Sequence, residues 1–289
     1  WTPTALPPTG PAVFRLQPAA EEHTTPQWAR RDGSAVTLPM PHYTALLDVA
    51  ADTIVSLTPA GSETNILSGP WAFSSTGKEG YGEPAVDEGP GGALVTVPFS
   101  NDLAEGFSRY FFYSTAPVIR IERYLTPRGE LTVTTSSEGC RLAQQGGSFA
   151  LQPGVGGALR RGELQDGSDY RDLLFGYGGE HPSPYTADRC GWFDFSFRED
   201  VQAGMGVAIE RRWRAAKSKV YDVTRFYDAS DFIQILNLWQ ADVTITEPQT
   251  QIVYLLPHRF IDFTDEAVTP PAQTLWDNLH NRCMPAATK

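Results

Sequence analysis

From about residue 53 onward, apolar and polar side chains alternate in short runs, the period-two pattern of strands with one buried face. TIVSLTP, GGALVTVPF, FSRYFFYS, VIRIERYL and GELTVTTSS follow one another in the first half of the chain. GWFDFSFRED, MGVAIERRWRA, KVYDVTRFYD, FIQILNLW, ADVTITE and TQIVYLLPHRF continue the series in the second. Each run is rich in Val, Ile, Thr, Phe or Tyr and is bounded by Gly, Pro, Asn or Asp, which turn the chain or withhold a backbone donor. Alternating strand and helix periods are missing, so a parallel doubly wound sheet is disfavoured. The pattern predicts an all-β fold, a large antiparallel β-sandwich.

Other segments break the pattern. Residues 1–35, opening WTPTALPPTGPAVF, read as an extended Pro-rich arm, because proline fixes φ and donates no hydrogen bond. PMPHYTALLDVAAD (39–52) places Pro41 at a helix start, with apolar side chains spaced for two turns, and predicts a short helix. Residues 68–92 and 139–191 read as two long Gly-rich loops, the kind that is usually functional or disordered. The tail TLWDNLHNRC predicts a last short helix that docks Trp276 and Leu279 on the sheet. The expected organisation is an arm (1–35), a sandwich domain (36–263) and a C-terminal tail (264–289).

Two strands carry charge in their middles: VIRIERYL (118–125) and VAIERRW (207–213). In the first, Ile119, Ile121 and Arg123 share one face, and Val118, Arg120, Glu122 and Tyr124 the other. In the second, Ala208, Glu210 and Arg212 oppose Val207, Ile209, Arg211 and Trp213. The structural explanation is that Glu122 and Glu210 pair with arginines on neighbouring strands, each pair contributing about 0.2–1 kcal/mol. The functional one is a charged sheet face lining a cleft, with Arg orienting a polar ligand and Glu serving as acid, base or hydroxyl acceptor. Either way, Arg120 and Glu122 are expected on the wet side.

Composition narrows the classes. The 289 residues, 41% hydrophobic and 20% charged, suit one large domain or two packed lobes, and no apolar run approaches bilayer-spanning length. A net charge of −11 disfavours a nucleic-acid partner, which needs a basic face. Three cysteines allow one disulfide, with Cys140–Cys190 the pairing to test in a secreted chain. The start at Trp1 suggests a processed or trimmed product. Compartment stays open, with a secreted or periplasmic location favoured.

The five histidines form no HExxH or other ligand spacing, so neither metal nor cofactor is expected. No phosphate-binding loop and no G-x-S-x-G elbow occurs, which removes nucleotide and α/β-hydrolase chemistry. His181, in EHPSPY beside Glu180 and Tyr185, could form an acid/base set with that tyrosine; His258 lies at a strand end beside Arg259. Trp71, Tyr81 and Tyr177, in or beside the long loops, are the apparatus of sugar recognition, rings packing on C–H groups while charged neighbours take hydroxyls. Trp192 and Trp213 lie within strands and are expected in the core.

YFFYSTAPVIRIERYLTPRGELTVTT and GVAIERRWRAAKSKVYDVTRFYDASDFIQIL resemble successive strands of galactose-mutarotase-like domains, over residues 90–260. Those domains are antiparallel supersandwiches that host epimerases, polysaccharide lyases and accessory modules of glycosidases. The epimerases' histidine-centred motifs are not matched, so no catalytic residue transfers. The resemblance implies a supersandwich and a saccharide ligand. In the catalytic version, His181 or Tyr185 abstracts a proton, Glu122 serves as a further acid or base, and Arg120 or Arg212 offsets a uronate carboxylate. Glu210, Trp71, Tyr81, Tyr177 and His258 complete the binding set. Two alternatives stay open: a non-catalytic sugar-binding module, and a structural β-sandwich subunit that assembles into a homo-oligomer through its N-terminal arm.

Overall fold

The computed structural model describes residues 27–133, 136–142, 147–152, 159–164, 191–197, 201–211, 223–227, 232–238 and 243–283. The first half holds β1 (Arg30–Asp32), β2 (Ala35–Met40), β3 (Tyr43–Asp48), β4 (Thr53–Pro59), β5 (Leu67–Ser75), β6 (Ala85–Gly89), β7 (Gly92–Ser100), β8 (Ala104–Tyr113), β9 (Ile119–Pro127) and β10 (Leu131–Val133). The second holds β11 (Ser136–Leu142), β12 (Gly147–Gln152), β13 (Arg160–Leu164), β14 (Trp192–Ser196), β15 (Gly204–Arg211), β16 (Val223–Tyr227), β17 (Phe232–Leu238), β18 (Val243–Ile245) and β19 (Gln249–His258). A single helix among the described residues, α1 (Pro271–Cys283), closes the series.

The strands form an eight-stranded sheet, in the order β1-β2-β3-β4-β5-β11-β17-β16, and a nine-stranded sheet, in the order β13-β12-β14-β15-β19-β9-β8-β7-β6; β10 and β18 pair separately. Ladder pairing is antiparallel in both large sheets. The core lies between them. Val36, Leu38, Leu47, Ile54, Leu57 and Trp71 from one sheet meet Val95, Tyr110, Ile121, Phe195, Val207 and Leu255 from the other. The alternation of β7 and β9 is kept without a slip: each inward residue is buried and its neighbours are not. The fold is thus the antiparallel all-β sandwich expected from the pattern.

Within the nine-stranded sheet, β14 is buried along its whole length and β19 along nearly all of it. Helix α1 explains this, because it lies on the outer surface of the sheet and covers the side that water would otherwise reach. Trp276 and Ala272 are buried there against Trp192, Ala208, Tyr254, Leu256 and Phe263, with Leu275 and Leu279 packed alongside. The tail helix, with Trp276 and Leu279 as its docking residues, therefore forms as its sequence predicts. Further along the sheet, no helix covers β7, β8 and β9 among the described residues.

Two expectations are corrected. Residues 39–52 are not a helix: β2 turns through Pro41 and His42 into β3, where Tyr43, Ala45 and Leu47 face the core. Those same residues also fit a period of two, and pairing with β2 and β4 decides for the strand. Residues 68–92 are not a long loop, since they supply most of β5 and all of β6. In the 139–191 segment, β11 ends and β12 and β13 form, while 165–190 lie outside the described residues.

Candidate functional site

Polar side chains gather on both faces of β8 and β9, and the two gatherings differ in kind. Inside the sandwich, Asp52 sits in the β3–β4 turn with φ 53°, a conformation that L-residues other than Asn and Asp seldom adopt. Its carboxylate accepts the Ser108 hydroxyl at 2.5 Å, the Tyr110 hydroxyl at 2.9 Å, Arg123 Nη1 at 3.3 Å and Lys78 Nζ. Arg123 continues the chain: Nη1 also donates to Tyr110 Oη at 2.6 Å, and Nη2 donates to Glu138 Oε1 at 3.1 Å. Glu138 accepts in addition the Trp71 indole N–H at 2.7 Å and the Gln251 amide. All of these side chains are buried.

Burial opposes the charge on Arg123, but Tyr110, Glu138 and Asp52 more than offset it and hold the guanidinium more firmly protonated than usual. Burial pulls the Lys78 ammonium down to about 8, with Asp52 opposing. Two carboxylates and two cations contributed by different strands and turns thus neutralise one another inside the core. Breaking such a set by removing one member typically costs about 3–5 kcal/mol. Arg123 Nε and Gln251 Oε1, on residues paired across the β9–β19 ladder, have no hydrogen-bond partner among the described residues. Toward the surface the cluster ends at Tyr81, whose ring lies 5.5 Å from the Lys78 ammonium and is 38% exposed.

On the outer surface the pleat presents cross-strand rows. Phe107 stands opposite Tyr124, Arg109 opposite Glu122, and Phe111 opposite Arg120, while Tyr254 flanks Arg120 on the next strand. Phe107 and Tyr124 stack with centroids 5.1 Å apart, and the Arg109 and Arg120 guanidinium groups lie 4.2 Å over Phe107 and 5.1 Å over Phe111. Arg120 Nη1 contacts Glu122 Oε1 at 2.5 Å and its Nε donates to Tyr254 Oη at 3.3 Å. The Tyr254 hydroxyl donates to Glu210 Oε2 at 2.5 Å. Burial and then Glu210 push the Tyr254 phenol upward, so it remains a hydroxyl at neutral pH. Arg109 is held loosely, with Glu122 at 4.0 Å and Nε without a hydrogen-bond partner among the described residues. This array can stack rings on an apolar ligand face while presenting donors and acceptors at its edges.

Arg120, Glu122 and Glu210 therefore come together as one array, joined by Tyr254, Arg109, Phe107 and Phe111. Trp71 is corrected: it is fully buried with its indole N–H on Glu138, because β5 runs through what the sequence suggested was a loop. Tyr81 is partly exposed, but it belongs to the rim of the inner cluster. His258 is corrected as well, since Nδ1 faces the Arg259 carbonyl and Nε2 faces Asp194, leaving no nitrogen for a ligand. Trp192 is in the core as expected. Cys140 is a free, buried thiol, and Cys190 lies outside the described residues. Burial raises the Cys140 pKa and so keeps it protonated. His181, Tyr185, Tyr177, Arg212 and Trp213 lie outside the described residues. Among the described residues no group of three or more His, Cys, Asp or Glu is placed to hold a metal, and no helix is long and apolar enough to cross a membrane.

No family model matches the chain, and no curated protein does. Among solved structures it aligns with a protein described as a mutarotase from Salmonella typhimurium, at 12% identity over 80% of this chain and 93% of that one, with a TM-score of 0.42. A protein described as an aldose 1-epimerase from Escherichia coli K12 aligns at 10% identity over 78% and 98%, with a TM-score of 0.41. An active YidC insertase with its first transmembrane domain resolved aligns at 10% identity over 92% of this chain and 48% of that one, with a TM-score of 0.37. Likenesses this distant do not bear on what the chain does.

Proposed function

We propose that the chain is a saccharide-binding module whose ligand lies across the outer surface of β8, β9 and β19. The observation that supports this is the alternation of rings and charges in successive cross-strand rows, Phe107–Tyr124, Arg109–Glu122 and Phe111–Arg120–Tyr254. Sugar rings present C–H faces and hydroxyl edges, which match stacked aromatics flanked by guanidinium and carboxylate. Arg109, whose side chain is 42% exposed and whose Nη1 lies 4.0 Å from Glu122, favours ligands that carry a carboxylate, such as uronic-acid polysaccharides. A catalytic version of this reading assigns proton abstraction to His181 or Tyr185 and the uronate to Arg120 or Arg212, giving an epimerase or lyase.

The test is affinity electrophoresis and titration calorimetry of the chain against neutral and uronic-acid polysaccharides, with Arg120→Ala and Phe111→Ala as variants. Binding weakened about tenfold or more by either variant, roughly 1.4 kcal/mol, is the expected result. Failure of every saccharide to bind sinks the reading. Turnover of a bound uronic-acid polymer that vanishes in His181→Ala selects the catalytic version; unchanged turnover in that variant removes it. One observation favours a second reading: the same outer surface already accommodates an amphipathic helix, α1. The half that α1 leaves free would then receive a protein segment, and cross-linking from position 111 to a polypeptide in the absence of saccharide binding would select that reading.

A further inference from the structure

At the end of β19, His258 turns into a space between β14 and the start of α1. Two glycines of β15 make that space. A Cβ on Gly204 would come within 2.3 Å of His258 Cε1, and one on Gly206 within 2.6 Å of Asp194 Oδ1 and 3.0 Å of the Ala272 Cβ. Asp194 rises from β14 into this space with no exposed surface. Its Oδ2 accepts the backbone N–H of Ala272 at 2.7 Å. The first turn of α1 has no acidic residue of its own, so the sheet supplies the negative group that the positive end of a helix attracts. Asp194 Oδ1 faces His258 Nε2 at 3.0 Å, and His258 Nδ1 lies 2.6 Å from the Arg259 carbonyl.

These contacts fix a proton count. A carbonyl oxygen only accepts, so Nδ1 carries a hydrogen, and a neutral imidazole protonated there presents a lone pair at Nε2. Opposite an ionised carboxylate, that lone pair would be one acceptor facing another. One proton must therefore lie between Nε2 and Oδ1, whether drawn as imidazolium with carboxylate or as imidazole with carboxylic acid. The surrounding charges are committed elsewhere. Arg259 directs its guanidinium to Gln202, and Arg161 of β13 donates to the carbonyls of Phe263, Asp265 and Val268. Asp262 is exposed and accepts from Thr264. The remaining polar groups from β12 and β14, Ser148 and Ser196, hold backbone atoms of Ile261 and Phe263 and do not titrate.

We propose that Asp194 and His258 form a proton-operated latch for α1. With the shared proton bound, Asp194 caps the helix and the helix stays on the sheet; when the proton leaves, two acceptors oppose one another and the helix start lifts. Lifting would uncover Trp192, Ala208 and Leu256 and free one side of Tyr254, the residue that also holds Arg120 and Glu210. Burial raises the Asp194 carboxyl above its ordinary range, while His258 and the Ala272 N–H pull the other way. A group raised in the fold stabilises it below the unfolded value and loses that contribution as pH rises through the folded one, so the latch opens toward alkaline pH.

The test is hydrogen exchange of the full chain from about pH 5, above the ordinary carboxylate range, to about pH 9, corrected for the intrinsic exchange rate. The 271–283 helix is compared with the Ile119–Pro127 strand as internal reference. In the unaltered chain, protection of the helix should fall about tenfold or more relative to the strand as pH rises. In Asp194→Asn an amide N–H can donate to Nε2 while the amide oxygen keeps the Ala272 bond, and the profile should be flat. His258→Gln offers an N–H to an ionised Asp194 and should also be flat, so either variant suffices if the other fails to fold. Constant helix protection in the unaltered chain, or the same pH dependence in a folded variant, overturns the latch.

Discussion

Arg123 and Arg120 stand three residues apart on β9, and the pleat sends one into the sandwich and the other onto its outer surface. Arg123 is 1% exposed and contacts two carboxylates that come from other elements, Asp52 in a turn and Glu138 on β11. The Arg120 side chain is 23% exposed, and its carboxylate partner Glu122 lies on its own strand. The same residue type therefore acts as a clamp between sheets in one place and as a solvent-facing group in the other. What separates them is desolvation: a buried guanidinium must keep its partners, whereas an exposed one can exchange them for a ligand.

The largest effect should follow from Arg123→Ala. It leaves Asp52 and Glu138 buried without a guanidinium and should lower unfolding free energy by about 3–5 kcal/mol, read by chemical denaturation. A loss below about 1 kcal/mol would mean that the inner cluster does not hold the sheets together. Next comes Gly206→Ala, whose Cβ must displace Asp194 or Ala272. Overpacking of this kind costs about 1–3 kcal/mol, and here it should appear first as lost exchange protection in α1.

Arg120→Ala should change stability by less than about 1 kcal/mol, because its ion pair is partly solvated. The inner cluster should also show itself as a pH slope. Lys78 is held at about 8 in the fold, so up to the unfolded value of about 10.4 the unfolded chain binds more protons, and this residue makes stability rise with pH. Lys78→Met should flatten that rise in a denaturation series over the same range.

Much of this comparison was legible in the strand VIRIERYL. Period-two alternation assigns Arg123 to the face of Ile119 and Ile121, and Arg120 and Glu122 to the other, and the structure keeps both assignments. A charge on an apolar face calls for buried partners, which was the available signal for the inner cluster. The partners themselves were not readable, because Asp52, Lys78, Glu138 and Gln251 are brought together by pairing between distant strands. Trp71 was misplaced for a related reason: Gly69, Pro70 and Ser74 give β5 the composition of a loop, and its ladders with β4 and β11 make it a strand. The tail helix was readable because Trp276 and Leu279 recur at helical spacing. The Asp194–His258 pair was not, since its two members are separated by 64 residues and meet through Gly204 and Gly206.

The division of labour between the two faces is tested most directly by the affinity of Arg120→Ala for a uronic-acid polysaccharide, measured by titration calorimetry beside the unaltered chain. An affinity loss of about tenfold or more, roughly 1.4 kcal/mol, in a variant whose denaturation midpoint is unchanged is the predicted result. Equal affinity in the two proteins, or a variant that loses binding only because it unfolds, would contradict the account.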